Sequence, residues 1–432
     1  MHRPTVPQAT SVLSLYGIIS VAALFRIVWA WWVPIEPISD PGAYDALARM
    51  LLEHGVYGFE PDQPIAIWPP GTAAFYALIY ALPGSDLAAA KVVNVTLSLL
   101  NVLLVWAVGR QLFDDITGRV AALIMAVWPQ MIYFTTLIAS EPIFIFIVLL
   151  AILLWERSRT LNIAWLVAAG LLFGAACYVR SVALLLPIVL TFGVLVLGSM
   201  GRGKAVVRLA VVGAVMAMTI APWTARNQEV FGDRIVMSSN FGGTLYMGNA
   251  PGTSGRHGSV ELPEDVRAMV EGLPQPERSS LLGDIAKREI LANPGAFVLR
   301  SLNKVRIVHD RETIGVAWNQ RGLDLLGFGD GGLLVLKAIA NLFWWSVLAL
   351  GLFGVVWQVA RGAGWRFLLS LPVLVWVYFA GIHAIVLAAD RFHMPQTPFI
   401  AMIAAAFIVG WLKSAARINA SGRSEKSLGS AE

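Results

Sequence analysis

Ser39-Asp40-Pro41-Gly42-Ala43-Tyr44-Asp45 follows an apolar run from Ser11 to Val33 and precedes Trp68-Pro69-Pro70-Gly71. The run is long enough for the roughly 20 residues that a helix needs to cross a bilayer. No small-residue cleavage site follows it, so it reads as a retained first span and not as a signal peptide. The acidic segment therefore stands at the end of that span. Outward from it, the composition is of one kind: 57% of the residues are hydrophobic, 14% are charged and 16 are Trp. An ordinary soluble domain carries about 25% charged residues. The expected fold class is an all-α polytopic membrane protein.

Further spans are expected at 87–109, 119–139, 142–155, 162–179, 182–200, 206–224, 332–358, 367–388 and 394–412, about ten crossings in all. Arg110, Arg119, Arg157, Arg159, Arg202, Lys204, Arg208, Arg361, Arg366, Lys413 and Arg417 then fall on one side, which the positive-inside rule makes the cytoplasm. The arrangement closes if Gly71 to Leu82, too short to span, does not cross. Residues 1–224 form an N-terminal transmembrane module with an outward loop at 35–85, and 225–331 an external, periplasmic-side domain or lid. Residues 332–412 are the C-terminal transmembrane helices and 413–432 a cytoplasmic tail. The outward loop is acidic, with Glu36, Asp40, Asp45, Glu53, Glu60 and Asp62 against Arg49. In the external segment Leu281, Ile285, Ile290 and Leu291 mark an amphipathic helix, broken at Asn293-Pro294-Gly295 before a second helix through Arg306. The location is the inner, cytoplasmic membrane, multi-pass, with the polar sites outward.

Several function classes fall away. The net charge of +5 comes from loop and tail residues that set orientation, so it does not signal nucleic acid. Cys177, the one cysteine, lies in an apolar run and reads as a packing residue. The six His show no metal-ligand spacing. Asp114-Asp115 is a poor substitute for the Asp-x-Asp metal site of a nucleotide-sugar transferase. No cofactor is predicted; a divalent cation is compatible with the carboxylates, but nothing in the sequence indicates one.

What remains is a carboxylate at the mouth of a helix bundle. Asp40 before Pro41 reads as an N-cap with proline at the first helical position, and Gly55 closes that helix. A carboxylate at a helix start is reliably ionised, hence a weak base. Such a base suits a reaction whose leaving group is a phosphate, because a phosphate departs without a general acid. Tyr44 lies one turn on, and Asp45 reads as solvated. Arg391, His393, Arg226 and Arg180 all fall at outward helix ends, where cations would absorb charge developing on a phosphate; snorkelling anchors and a satisfied interfacial histidine are the structural alternatives. Arg26, inside the first span, needs a partner such as Glu141 or a lipid phosphate.

The layout resembles the membrane glycosyltransferases of the GT-C superfamily, in particular bacterial proteins similar to dolichyl-phosphate-mannose-protein mannosyltransferases and aminoarabinose lipid A transferases. The resemblance spans about 35–400 and rests on Asp40 with Tyr44, Pro69-Pro70-Gly71, Ser140-Glu141-Pro142 and Pro222-Trp223-Thr224-Ala225-Arg226-Asn227. It also rests on the run from Ser239 to Asn249 and on Asp390-Arg391-Phe392-His393-Met394-Pro395. It implies inverting transfer of a sugar from a polyprenyl-phosphate carrier to a lipid, glycan or protein hydroxyl on the outer face, with Asp40 as general base. Families of this fold often carry two neighbouring acids in the first loop, whereas here Asp40 is followed by proline. Glu141 is the candidate second carboxylate. Tyr44, Trp68, Asn240, Tyr246 and Asn249 are candidate substrate-binding residues, the last three in a Gly-rich segment that reads as an acceptor lid or as a plain surface loop. The rival readings are a lipid-linked sugar transporter or flippase and a non-catalytic envelope assembly subunit. Transporters, however, place their charged sites near the midplane in repeated halves.

Overall fold

A computed structural model of the protein describes residues 14–82, 86–258 and 261–428. The start of the expected first span at 11–13 and the last residues of the tail lie outside the described residues. Each of the ten apolar stretches is helical. By length and composition, five described helices suffice to cross a membrane: Leu15–Trp32, Leu87–Leu112, Arg202–Phe231, Asp330–Leu369 and Asp390–Ala416. A sixth is the bent pair Asp115–Ala126 and Pro129–Thr136, which turns through 59°. The remaining stretches are the shorter apolar helices Ile163–Val179, Ser181–Val196 and Leu371–Ile385, and Ser140–Arg157, which carries Glu141, Glu156 and Arg157. This is a multi-pass helical membrane protein, and its helices are consistent with about ten crossings.

The break in the bent pair is the feature that positions the connection and helix that follow it. A helix that stops inside apolar surroundings leaves carbonyls that water cannot reach, and each must find a donor in the protein. Arg26 supplies them. Fully buried, it donates from Nη1 to Ala126 O at 2.7 Å, from Nη2 to Met125 O at 3.0 Å and from Nε to Ser98 Oγ at 2.7 Å. Its partners are thus carbonyls and a hydroxyl, neither Glu141 nor a lipid phosphate as expected. Beyond the break Asn94 donates to Leu137 O at 2.9 Å, and Asn101 to Pro142 O at 3.0 Å. The helix Ser140–Arg157 therefore begins at a fixed place, with Glu141 in its first turn.

The outward loop folds as the helix Ser39–His54, a two-stranded antiparallel hairpin of Gly58–Glu60 and Gln63–Pro64, and the short helix Gly71–Tyr80. Gly55 ends the first of these at φ +69°, a left-handed conformation that glycine adopts without a side-chain clash. Asp40 is not the cap. The cap position is Ile38, Ser39 is held at φ +55°, and Asp40 sits in the first turn with its carboxylate turned elsewhere. Asp45 is not simply solvated either: it accepts from Tyr80 at 2.7 Å and pairs with Arg49 at 3.0 Å.

The span expected at 206–224 continues as helix to Phe231 and ends at Gly232. The external segment follows with helices Phe241–Asn249, Glu264–Val270, Gln275–Ala292, Pro294–His309, Ile314–Trp318 and Gln320–Leu325. Leu282 and Ala286 join Leu245, Tyr246, Val266 and Val270 in a small core of its own, with Leu281, Ile285 and Ile290 packed against it. Leu291, expected on that face, is exposed. At the other end of the chain the last helix runs unbroken from Thr397 to Leu428, so the expected tail from 413 starts as its continuation.

Replacing Arg26 with Met should leave the Met125 and Ala126 carbonyls without donors, each costing about 1–3 kcal/mol. The expected outcome is a lowered unfolding midpoint in detergent, read by fluorescence-detected size exclusion after heating, with Arg26→Lys recovering only part because one ammonium cannot span the same acceptors.

Candidate active site

The break, the outward loop and the start of the last helix bring four charges together. Arg391 lies in the short 3₁₀ turn Asp390–Gln396 that leads into the last helix. Its Nη2 is 2.7 Å from Asp40 Oδ2, and its Nε is 3.9 Å from Glu141 Oε1. Arg180, at the end of the helix Ile163–Val179, places Nη1 2.7 Å from the same Glu141 oxygen and donates to Ser140 Oγ at 3.3 Å. Two carboxylates and two guanidiniums thus form a chain, Asp40–Arg391–Glu141–Arg180, with a net charge of zero. Glu141 is sealed at 1% exposure, whereas Asp40, Arg391 and Arg180 keep 26%, 15% and 14% of their side chains open.

Aromatic side chains fix the guanidiniums. Arg391 lies over Trp318, 4.7 Å from its ring centroid, and Phe392 is 5.5 Å from both arginines. Tyr44 packs at the same centre: burial, then the charges of Glu141 and Asp40, raise its phenol above the usual range, with Arg180 and Arg391 opposing. Its ring stands 5.9 Å from that of Trp68, which also meets Phe59 at 6.4 Å. Ser39, at φ +55°, is a non-glycine residue in a region that costs about 1–3 kcal/mol and clusters at functional positions. The strain falls directly before Asp40.

The external segment adds a residue that the sequence did not single out. Gly255 O accepts from Ala388 N at 3.0 Å and His257 N donates to Ala388 O at 2.8 Å, so a two-bond bridge lays this stretch beside the turn that carries Arg391. His257 feels both members of the open pair: burial and then Arg391 lower its pKa, and Asp40 works the other way.

Residues 68–225 match the family model of dolichyl-phosphate-mannose-protein mannosyltransferases. That stretch holds Glu141 and Arg180 but neither Asp40 nor Arg391. No curated protein matches the sequence. Among solved structures, the oligosaccharyltransferase of Archaeoglobus fulgidus in complex with an inhibitory peptide and a dolichol-phosphate superimposes with a TM-score of 0.56 at 15% identity, over 96% of this chain and 52% of that one. The apo form of the Archaeoglobus fulgidus enzyme gives 0.57 at 13% identity, over 95% and 52%. The chain has the GT-C fold. It spans about half the length of the archaeal enzyme.

Within this GT-C bundle the expected site residues separate into three groups. Asp40, Glu141, Arg180, Arg391 and Tyr44 converge, with Trp68 behind Tyr44. Asn240 and Tyr246 line a separate cavity in the external segment. His393, Arg226 and Asn249 are occupied elsewhere. His393 is fully buried, its Nδ1 2.8 Å from Val308 O and its Nε2 3.0 Å from Glu312 Oε1, and it stacks on Trp344 at 4.2 Å. A carbonyl can only accept, so Nδ1 carries a proton and Nε2 is committed to Glu312; neither nitrogen is left for a phosphate. Arg226 donates to Ile65 O and Asn227 Oδ1, both at 3.0 Å, and lies 4.8 Å from the Trp223 centroid. Asn249 accepts from the buried Lys304 Nζ at 2.9 Å and donates to Ile385 O at 3.0 Å. Trp318, His257 and Glu312 carried no local signal, because each is aimed by a contact distant in sequence. No group of three or more His, Cys, Asp or Glu among the described residues is arranged to hold a metal ion.

Arg180→Gln should leave Glu141 buried with a 3.3 Å hydrogen bond from Ser140 Oγ and the 3.9 Å contact to Arg391, and a buried charge that has lost its close ion pair costs about 3–5 kcal/mol. A large fall in thermal stability is expected for Arg180→Gln, with much of it recovered in the Arg180→Gln, Glu141→Gln double variant. Equal stability of the single variant and the parent would contradict the pairing.

Proposed function

We propose that the protein is an inverting glycosyltransferase that moves a sugar from a polyprenyl-phosphate carrier to an acceptor hydroxyl on the outer face of the inner membrane. The observation that carries this reading is the Asp40–Arg391 pair, in which Asp40 is the most exposed of the four charges, backed by the buried Glu141 and its partner Arg180. A phosphate arriving at Arg391 competes with Asp40 for the guanidinium, so donor binding releases the carboxylate at the place where a base is needed. The acceptor oxygen attacks the anomeric carbon from the side opposite the leaving phosphate. Its proton passes to Asp40 as the new C–O bond forms, and the electrons of the breaking bond leave on the phosphate oxygen. Arg391 takes up that charge, a stabilisation that grows towards the transition state. Glu141, at 1% exposure, acts as a positioning residue that holds both guanidiniums. Arg180 compensates Glu141 and adds positive potential behind the phosphate. A guanidinium in this place does the charge neutralisation that a divalent cation would otherwise supply, so activity without added metal is part of the proposal.

The match of residues 68–225 to mannosyltransferases that use dolichyl phosphate mannose, and the dolichol-phosphate in the archaeal complex of the same fold, support a lipid-linked donor. Transport is less well supported, since Asp40, Glu141, Arg180 and Arg391 converge at helix ends, and the sequence shows no pair of like halves.

The test is incubation of the reconstituted protein with a panel of polyprenyl-phosphate sugars and cell-envelope extract, reading free polyprenyl phosphate by mass spectrometry. Asp40→Asn should reduce release at least about 100-fold, as expected for loss of a general base. Its stability should change by only about 1 kcal/mol because the pair is partly solvated. No release by the parent from any donor, with the protein folded, would reject the transferase reading in favour of transport or an assembly role.

A further inference from the structure

A cavity of about 340 Å³ lies in the external segment, apart from Asp40 and Arg391, and its volume falls in the range of small-molecule sites. Its polar lining comes from Asn240, Tyr246, Gln275, Arg278 and Ser279. These groups have hydrogen-bonding capacity to spare. Gln275 Oε1 accepts from Ser239 Oγ and Ser279 Oγ accepts from Gly243 N. The side-chain amide NH₂ groups of Asn240 and Gln275, the Tyr246 hydroxyl and the Arg278 guanidinium have no partner among the described residues. Every other lining residue is apolar or glycine, the mix that grips the C–H faces of a polyol while amides and hydroxyls read its OH groups.

The walls are rigid. A Cβ on Gly242 would fall 1.9 Å from Ser279 O, so the helix Phe241–Asn249 rests on the backbone of Gln275–Ala292 at a distance only glycine permits. The cavity is linked to the reaction centre along the chain. One of its walls is Ile67, whose carbonyl accepts from Ser238 at 2.6 Å, and the next residue, Trp68, stands against Tyr44, whose phenol feels the charges of Glu141 and Asp40. Burial and the charge of Asp265 raise the Tyr246 phenol, so its hydroxyl keeps its proton and can donate.

We propose that this cavity is the acceptor subsite and that the acceptor is a polyol bearing an anionic group, a phosphate or a carboxylate, held by Arg278. The proposal rests on the transferase reading for its word acceptor, and its experiment separates the two. In the first arm the full-length protein in lipid nanodiscs is treated with phenylglyoxal, and modification of Arg278 is followed by mass spectrometry with glycerol, inorganic phosphate or glycerol phosphate present. Protection by glycerol phosphate at concentrations where neither of the others protects is expected. Equal protection by inorganic phosphate and glycerol phosphate, or none by either, overturns the proposal, and neither outcome depends on turnover.

In the second arm envelope acceptors are separated by anion exchange and offered with the donor. Product is expected on the retained fraction, and its partition between organic and aqueous phases tells a lipid head group from a soluble glycan. Arg278→Gln should raise the half-saturating acceptor concentration about tenfold, as loss of a charge-assisted hydrogen bond predicts, with partial recovery in Arg278→Lys and no change in Lys287→Gln, which like Arg278 is an exposed residue of this helix but does not line the cavity. Product on the unretained fraction alone, or an unaltered acceptor dependence in Arg278→Gln, overturns the proposal. Absence of turnover by the parent rejects the transferase reading instead, and the first arm then decides the cavity.

Discussion

The break after Ala126 is the constraint on which the candidate site depends. Polar backbone at membrane depth is tolerated only where the protein itself satisfies it, and one buried side chain, Arg26, answers two carbonyls of the broken helix at 2.7 and 3.0 Å. Because the third span bends by 59°, the chain re-enters at Ser140, where Asn94 and Asn101 hold the connection from the neighbouring helix. Glu141 owes its position to that turn. An arginine buried among apolar residues thus serves the site without belonging to it.

On this frame the four charges are graded and not equivalent. Glu141 is sealed between Arg391 and Arg180, and Asp40 is the most open of the four. A neutral cluster is cheap to hold in the absence of substrate, and the open member is the one that an anion can enter by exchange. Trp318, from the external segment, stacks on Arg391, and the bridge at Ala388 lays His257 beside it. The 225–331 segment is therefore part of the site's wall.

The same segment is tied to the bundle by groups that look like ligands in the sequence. Lys304 is buried with Asn249 and Ile385 O, and burial lowers its amine to about 8. His393 is buried with Glu312, which Trp128 also reaches at 2.9 Å. Arg226 joins the outward loop to the end of a span through Ile65. Polar side chains at an outer membrane face serve either to bind substrate or to hold domains together, and residue type alone does not separate the two.

The sequence by itself determined the membrane class, the apolar stretches that form the helices and the acid at the end of the first span. These follow from composition, run length and charge, which act locally along the chain. It also marked Glu141, Arg180 and Arg391 as outward charges, since topology assigns a side to every helix end. Only the tertiary structure decided which of these meet. Asp40 read as a helix cap from the proline after it, yet Arg391, far along the chain, takes the carboxylate at 2.7 Å. His393, two residues from Arg391, points into the protein because a short turn aims successive side chains in different directions. Partner choice among buried charges depends on distances between helices distant in sequence, and desolvation makes each such charge accept whichever opposite charge or hydrogen-bond partner the packing brings near.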